Sequence, residues 1–151
     1  MRVYEVMSRD VETVKPSVLA SEAKTRMRHL SIHHMVVVAG NELKGVVSER
    51  DLGGAKLPKV LGDYTVEDVM TTPVITVTTR TTIRRAAALM EGRSVGSLVV
   101  TSANGKVAGI VTITDLLRLL MKQPEYRSNR SERRPRAQAK AWRDESQGEA
   151  A

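Results

Sequence analysis

The chain has 151 residues, enough for one domain or two small units buried against each other, and its 41% of apolar residues include no Phe, so any core is aliphatic. The absence of Cys excludes disulfides, thiolate metal sites and cysteine nucleophiles, while the formal charge of +7 favours anionic partners without naming one. No run approaches the roughly 18 apolar residues of a membrane span and no signal-peptide apolar stretch opens the chain, so a cytoplasmic protein that engages no membrane is the expectation.

Read in order, the chain repeats itself. At a shift of 63 positions Val6-Met7 falls on Val69-Met70, Val11 on Val74, Thr13-Val14 on Thr76-Val77, Ala23 on Ala86, Met27 on Met90 and Val36-Val37 on Val99-Val100. One extra residue later, Gly45-Val46-Val47-Ser48 falls on Gly109-Ile110-Val111-Thr112, and Asp51-Leu52 on Asp115-Leu116.

Each copy starts with a short extended piece, residues 12–14 or 74–77. A helix follows, for which Ser17 and Thr82 are the expected N-caps. Leu19, Ala23, Met27 and Leu30 share one helical face in the first copy, and Ile83, Ala86, Ala87 and Met90 do so in the second. A nearly continuous apolar strand comes next (35–38 or 98–100). The turns are Gly40-Asn41 and Asn104-Gly105, where glycine supplies positive φ. A last strand, 45–47 or 109–111, leads into a second helix near Asp51 or Asp115. The expected architecture is therefore α/β (α+β): two β-α-β-β-α repeats packed with pseudo-two-fold symmetry. Strands apolar on both faces call for a covered sheet, and one copy alone could hardly bury it. The expected divisions are 1–60 for the first repeat with its linker, 61–121 for the second, and 122–151 for a basic, disordered tail. Gly53-Gly54 should end the first copy's second helix almost at once. In the second copy Leu116, Leu117, Leu119, Leu120 and Met121 continue, as a dimer seam or as packing onto the repeat's own sheet.

The duplicated unit, ending in Gly45-Val46-Val47-Ser48-Glu49-Arg50-Asp51-Leu52 and Gly109-Ile110-Val111-Thr112-Ile113-Thr114-Asp115-Leu116, resembles the CBS domain, named for cystathionine β-synthase. Val69-Met70-Thr71-Thr72-Pro73-Val74 and Ile32-His33-His34-Met35-Val36-Val37 are similar to that family's opening segment and to the lead-in to its central strand. The resemblance covers about residues 1–120. It implies a tandem pair with two clefts between the units, occupied by an adenosyl ligand: AMP, ADP or ATP first, with S-adenosylmethionine or a dinucleotide such as NAD as alternatives. It further implies a homodimer that senses the ligand on behalf of a regulated partner protein. No cofactor is required, and no catalytic arrangement or phosphate loop is readable.

The residues themselves leave two readings open at each position. Asp51 and Asp115, where a strand gives way to a helix, can accept both hydroxyls of a ribose or can simply cap the helix. Ser48 and Thr112 can bond a phosphate or ribose oxygen, or cap the backbone. His33 and His34 stand where the family places cationic residues against phosphates, and otherwise are surface or packed histidines. Arg50 is a further phosphate candidate, and Thr114 replaces it in the second copy. By the resemblance, Val11, Thr13, Val74 and Thr76 line the adenine slot, and otherwise they are ordinary strand residues. His29 and His33 are four apart, with no further ligand nearby to make a metal site.

From Tyr126 to Arg143 seven Lys/Arg face one acid, Glu132, with Trp142 the only tryptophan of the chain. That tail supports an alternative in which the protein binds nucleic acid. A third reading is a dimeric adaptor with empty clefts.

Overall fold

The structure, a computed structural model, describes residues 1–53 and 64–121. The basic tail, Gly54 and the rest of the linker fall outside the described residues. The first repeat contains β1 (Thr13–Val14), α1 (Ala20–Leu30), β2 (His34–Ala39), β3 (Glu42–Ser48) and α2 (Glu49–Gly53). The second contains β4 (Thr76–Thr78), α4 (Ile83–Arg93), β5 (Ser97–Thr101), β6 (Val107–Thr112) and α5 (Ile113–Met121). A 3₁₀ turn, Val3–Glu5, precedes the first set, and a single-turn helix, α3 (Val66–Val69), precedes the second.

Each repeat builds a three-stranded sheet, ordered β1-β2-β3 or β4-β5-β6. The first pair in each is parallel and the second antiparallel. The central strands are apolar over residues 35–39 and 98–100 because both of their faces are covered there. Met35 and Val37 face a core with Ala23, Met27 and Leu52. Val36, between them, turns to the opposite face and meets Val99 and Ile110 of the second repeat. Two-residue periodicity thus divides one apolar run between a repeat's own helices and the partner sheet. Both hairpins place glycine at positive φ, Gly40 at 60° and Gly105 at 78°, as the turn chemistry requires.

The helices show two departures from expectation. Thr82 caps α4 through Oγ1, which accepts from Arg85 N at 3.2 Å. Ser17 caps nothing: α1 starts after Leu19 in extended conformation, and Ala20 N donates to Tyr64 O at 2.7 Å. The lead-in to the second repeat thus satisfies an amide that the serine was expected to serve. Leu19, at 44% exposure, and Ala87, also exposed, fall outside the buried stripes of their helices.

The cores cross the linear order of the chain. Val3 and Met7 belong to the core of Val77, Ala86, Leu98 and Val111. Their counterparts Val66 and Met70 pack with Ala20, Met35 and Leu52 of the first repeat. Each repeat is therefore closed by the segment that precedes the other.

Candidate ligand-binding clefts

Strand β3 runs directly into α2, and β6 into α5. At the first junction Asp51 Oδ2 accepts from Ser48 N at 2.8 Å, and Ser48 Oγ accepts from Asp51 N at 3.2 Å. At the second, Asp115 Oδ2 accepts from Thr112 N at 2.9 Å and from Thr112 Oγ1 at 3.1 Å, while Thr112 Oγ1 accepts from Asp115 N at 3.4 Å. These are reciprocal capping boxes, in which the hydroxyl takes the N-cap place and the carboxylate sits three residues on. Asp115 Oδ1 also accepts from Arg118 Nη1 at 3.3 Å, and Asp115 is 7% exposed.

The boxes hold the aspartates in the walls of two clefts. The larger, about 990 Å³, sets Ser48, Arg50 and Asp51 against Val74 and Ser97. The smaller, about 250 Å³, sets Asp115 and Arg118 against Ser8, Val11 and Glu12. Each cleft therefore draws its capping carboxylate from one repeat and an apolar lining residue, Val74 or Val11, from the lead-in to the other. His33, His34, Thr112 and Thr114 line both. Thr13 and Thr76 line neither: strand alternation buries Val14 and Val77 and leaves the two threonines exposed.

His34 is half-buried, and its pKa is lowered, chiefly by burial and then by neighbouring His33. Asp51, Asp115 and Glu49 pull it back upward. His33 Nδ1 lies 2.5 Å from Glu49 Oε2, an exposed pair. Arg118 was not singled out by sequence reasoning; its signal was the three-residue spacing from Asp115 on a helix. Under the repeat its counterpart is Gly54, so the first copy has no such guanidinium. Arg93, on the wall of the larger cleft, was also missed. Among the described residues no group of metal-ligating side chains assembles, and no helix is long and apolar enough to cross a membrane.

A duplicated β-α-β-β-α unit with a Ser/Thr-x-x-Asp carboxylate beside each cleft defines the class. The CBS domain profile matches residues 3–55 and 66–122, and the chain belongs to the CBS domain family. It is 33% identical over 121 residues to an uncharacterized 17.7 kDa protein of Acidianus ambivalens, covering 80% of this chain and 73% of that one. It is also 34% identical to the inosine-5′-monophosphate dehydrogenase of Korarchaeum cryptofilum, over 76% of this chain but only 23% of the dehydrogenase. Among solved structures it resembles the CBS domain pair of protein MJ0100 in complex with 5′-methylthioadenosine and S-adenosyl-L-methionine. The TM-score is 0.71 at 25% identity, covering 80% of this chain and 96% of that one.

Proposed function

We propose that this CBS pair is a cytoplasmic regulatory module, not an enzyme, which binds an adenine nucleotide of the AMP, ADP or ATP type and reports its level to a partner protein. The observation that carries the reading is the doubled site: a capped carboxylate in the wall of each cleft, opposite Val74 in one and Val11 in the other. A carboxylate held by a backbone amide is rigid, which suits a pair of ribose hydroxyls. Arg50 and Arg93 on the larger cleft supply charge for phosphate. The adenosyl ligands of the MJ0100 pair support the nucleoside part of the reading and make S-adenosylmethionine the first alternative.

Calorimetry and melting against AMP, ADP, ATP, NAD and S-adenosylmethionine test it. Ligand at 100 times its Kd adds about 2.7 kcal/mol, a rise in Tm of about 5–10 °C. No shift with any of them at millimolar concentration overturns the proposal and leaves the adaptor with empty clefts.

We also propose that the module is a homodimer of about 33 kDa, twice the 16.6 kDa chain. Ile113, Leu117, Leu120 and Met121 form an exposed stripe on α5, with Leu120 at 79% exposure. A monomer by light scattering at tens of micromolar would sink this part. The nucleic-acid reading depends on residues 122–151, outside the described residues, and no observation on the clefts favours it.

A further inference from the structure

Two clefts share one half-buried imidazole. His34 lines both, and under the repeat its place in the second copy is taken by Ser97, while that of His33 is taken by Gly96. The ring faces bare backbone there: a Cβ built on Gly96 would stand 3.8 Å from His34 Nε2. The charged groups acting on the ring come from three elements. They are His33 beside it, Glu49 and Asp51 on α2, and Asp115 on α5. Gly96 and Ser97, at the start of β5, add none. The other charged groups that line the clefts are Arg50, Glu91 and Arg93 in the larger, and Asp10, Glu12 and Arg118 in the smaller.

We infer that the clefts compete for His34: a nucleotide phosphate bound in one draws a proton onto this half-buried imidazole, and a phosphate in the other finds only His33, which is exposed and already paired with Glu49. The inference rests on the adenine-nucleotide reading proposed above. In the empty protein burial keeps the ring neutral, because desolvation disfavours the cation more than the nearby carboxylates favour it. A phosphate dianion against either ring nitrogen reverses that balance. The imidazole takes a proton from the buffer acid and becomes imidazolium, with no other bond changed. A second phosphate then meets the first across a common wall with the cation already engaged. Phosphate-bearing ligands therefore bind the two clefts anticooperatively, and an uncharged nucleoside does not.

The experiment is calorimetric titration of the full chain with AMP and with adenosine near neutral pH, in two buffers of different ionisation enthalpy. AMP should bind first with proton uptake, then at least about tenfold more weakly, or not detectably, without uptake. Adenosine should fill both clefts with no buffer dependence. In His34→Ser, which installs the residue of the second repeat, uptake should vanish and the first AMP step weaken by about tenfold, more than adenosine binding weakens. AMP binding that is independent of buffer, or two AMP steps that each take up a proton, overturns the inference while leaving the nucleotide reading intact. Failure of both AMP and adenosine to bind overturns this inference, and failure of ADP and ATP as well overturns the nucleotide reading with it. If the variant does not fold, the buffer dependence of the unmodified protein decides.

Discussion

Ser8 and Ile110 exchange two backbone hydrogen bonds, Ser8 N to Ile110 O at 2.9 Å and Ile110 N to Ser8 O at 3.0 Å, tying the start of the chain to the last strand of the second repeat. Thr71 and Val46 form the reciprocal bridge at 2.8 and 3.2 Å. These paired crossings bring Val11 beside the carboxylate of the second repeat and Val74 beside that of the first. The clefts exist because the repeats exchange their leading segments.

The crossings explain why glycine stands within the last strand of both copies, at Gly45 in β3 and Gly109 in β6. A Cβ on Gly109 would lie 2.6 Å from Ser8 O, which is backbone held in the bridge. On Gly45 the nearest atom would be Met70 Sδ at 2.5 Å, the end of a flexible side chain, with Thr71 O at 3.0 Å. Gly109→Ala should therefore destabilise the protein by about 1–3 kcal/mol, and Gly45→Ala by less. Urea denaturation of the two variants checks the order, and equal losses would show that the Ser8 backbone yields.

Val3 is fully buried, but in the core of the second repeat. Val3→Ala should cost about 2 kcal/mol from lost methyl burial and the cavity left behind. Hydrogen exchange locates the loss. Amides of β5 and β6 should exchange faster, while those of β2 and β3 keep their protection. The opposite pattern would refute the exchange of segments.

The two aspartates can be separated into cap and ligand. Asn retains an acceptor for the backbone amide, so Asp51→Asn should shift Tm by only about a degree or two. Asp115→Asn also weakens the bond to Arg118 at a nearly buried position and should cost about 1 kcal/mol more. If the carboxylates hold a ribose, each change should weaken nucleotide binding at its own cleft by roughly 30-fold. Unchanged affinity for AMP and ATP in both variants would leave Asp51 and Asp115 as caps alone.

Burial of His34 also makes stability depend on pH. The unfolded chain protonates this residue near about 6.5, while the folded chain does so only at lower pH. As pH falls through that value the unfolded state binds a proton that the native state refuses, so stability declines until the lower folded pKa is reached. Above the unfolded pKa the effect is absent. Without ligand, acidification from about pH 7.5 to 5.5 should destabilise His34→Ser less than the unmodified protein. Equal losses in urea melts would place His34 in a solvent-like setting.

Much of this was determined by the sequence alone. Matches such as Val36-Val37 with Val99-Val100 disclosed the duplication, because two copies of one unit need the same apolar positions. Local chemistry was equally legible: Thr82 as a cap, the glycines of both hairpins, and Asp51 and Asp115 at strand-to-helix junctions all depend on neighbours a few residues away. Ser17 failed as a cap because the amide it was to serve is bonded from across the molecule by Tyr64. Thr13 and Thr76 failed as cleft residues because the orientation of a two- or three-residue strand is decided by which neighbour fits the core. Only the tertiary structure decided that Val3 closes the second core and Val66 the first, that Asp51 faces Val74 and Asp115 faces Val11, and that His34 serves both clefts. Periodicity records that a side chain is buried; it carries no information about which of two similar sheets buries it. That choice is made by long-range backbone bridges such as Ser8 with Ile110, between residues about a hundred positions apart.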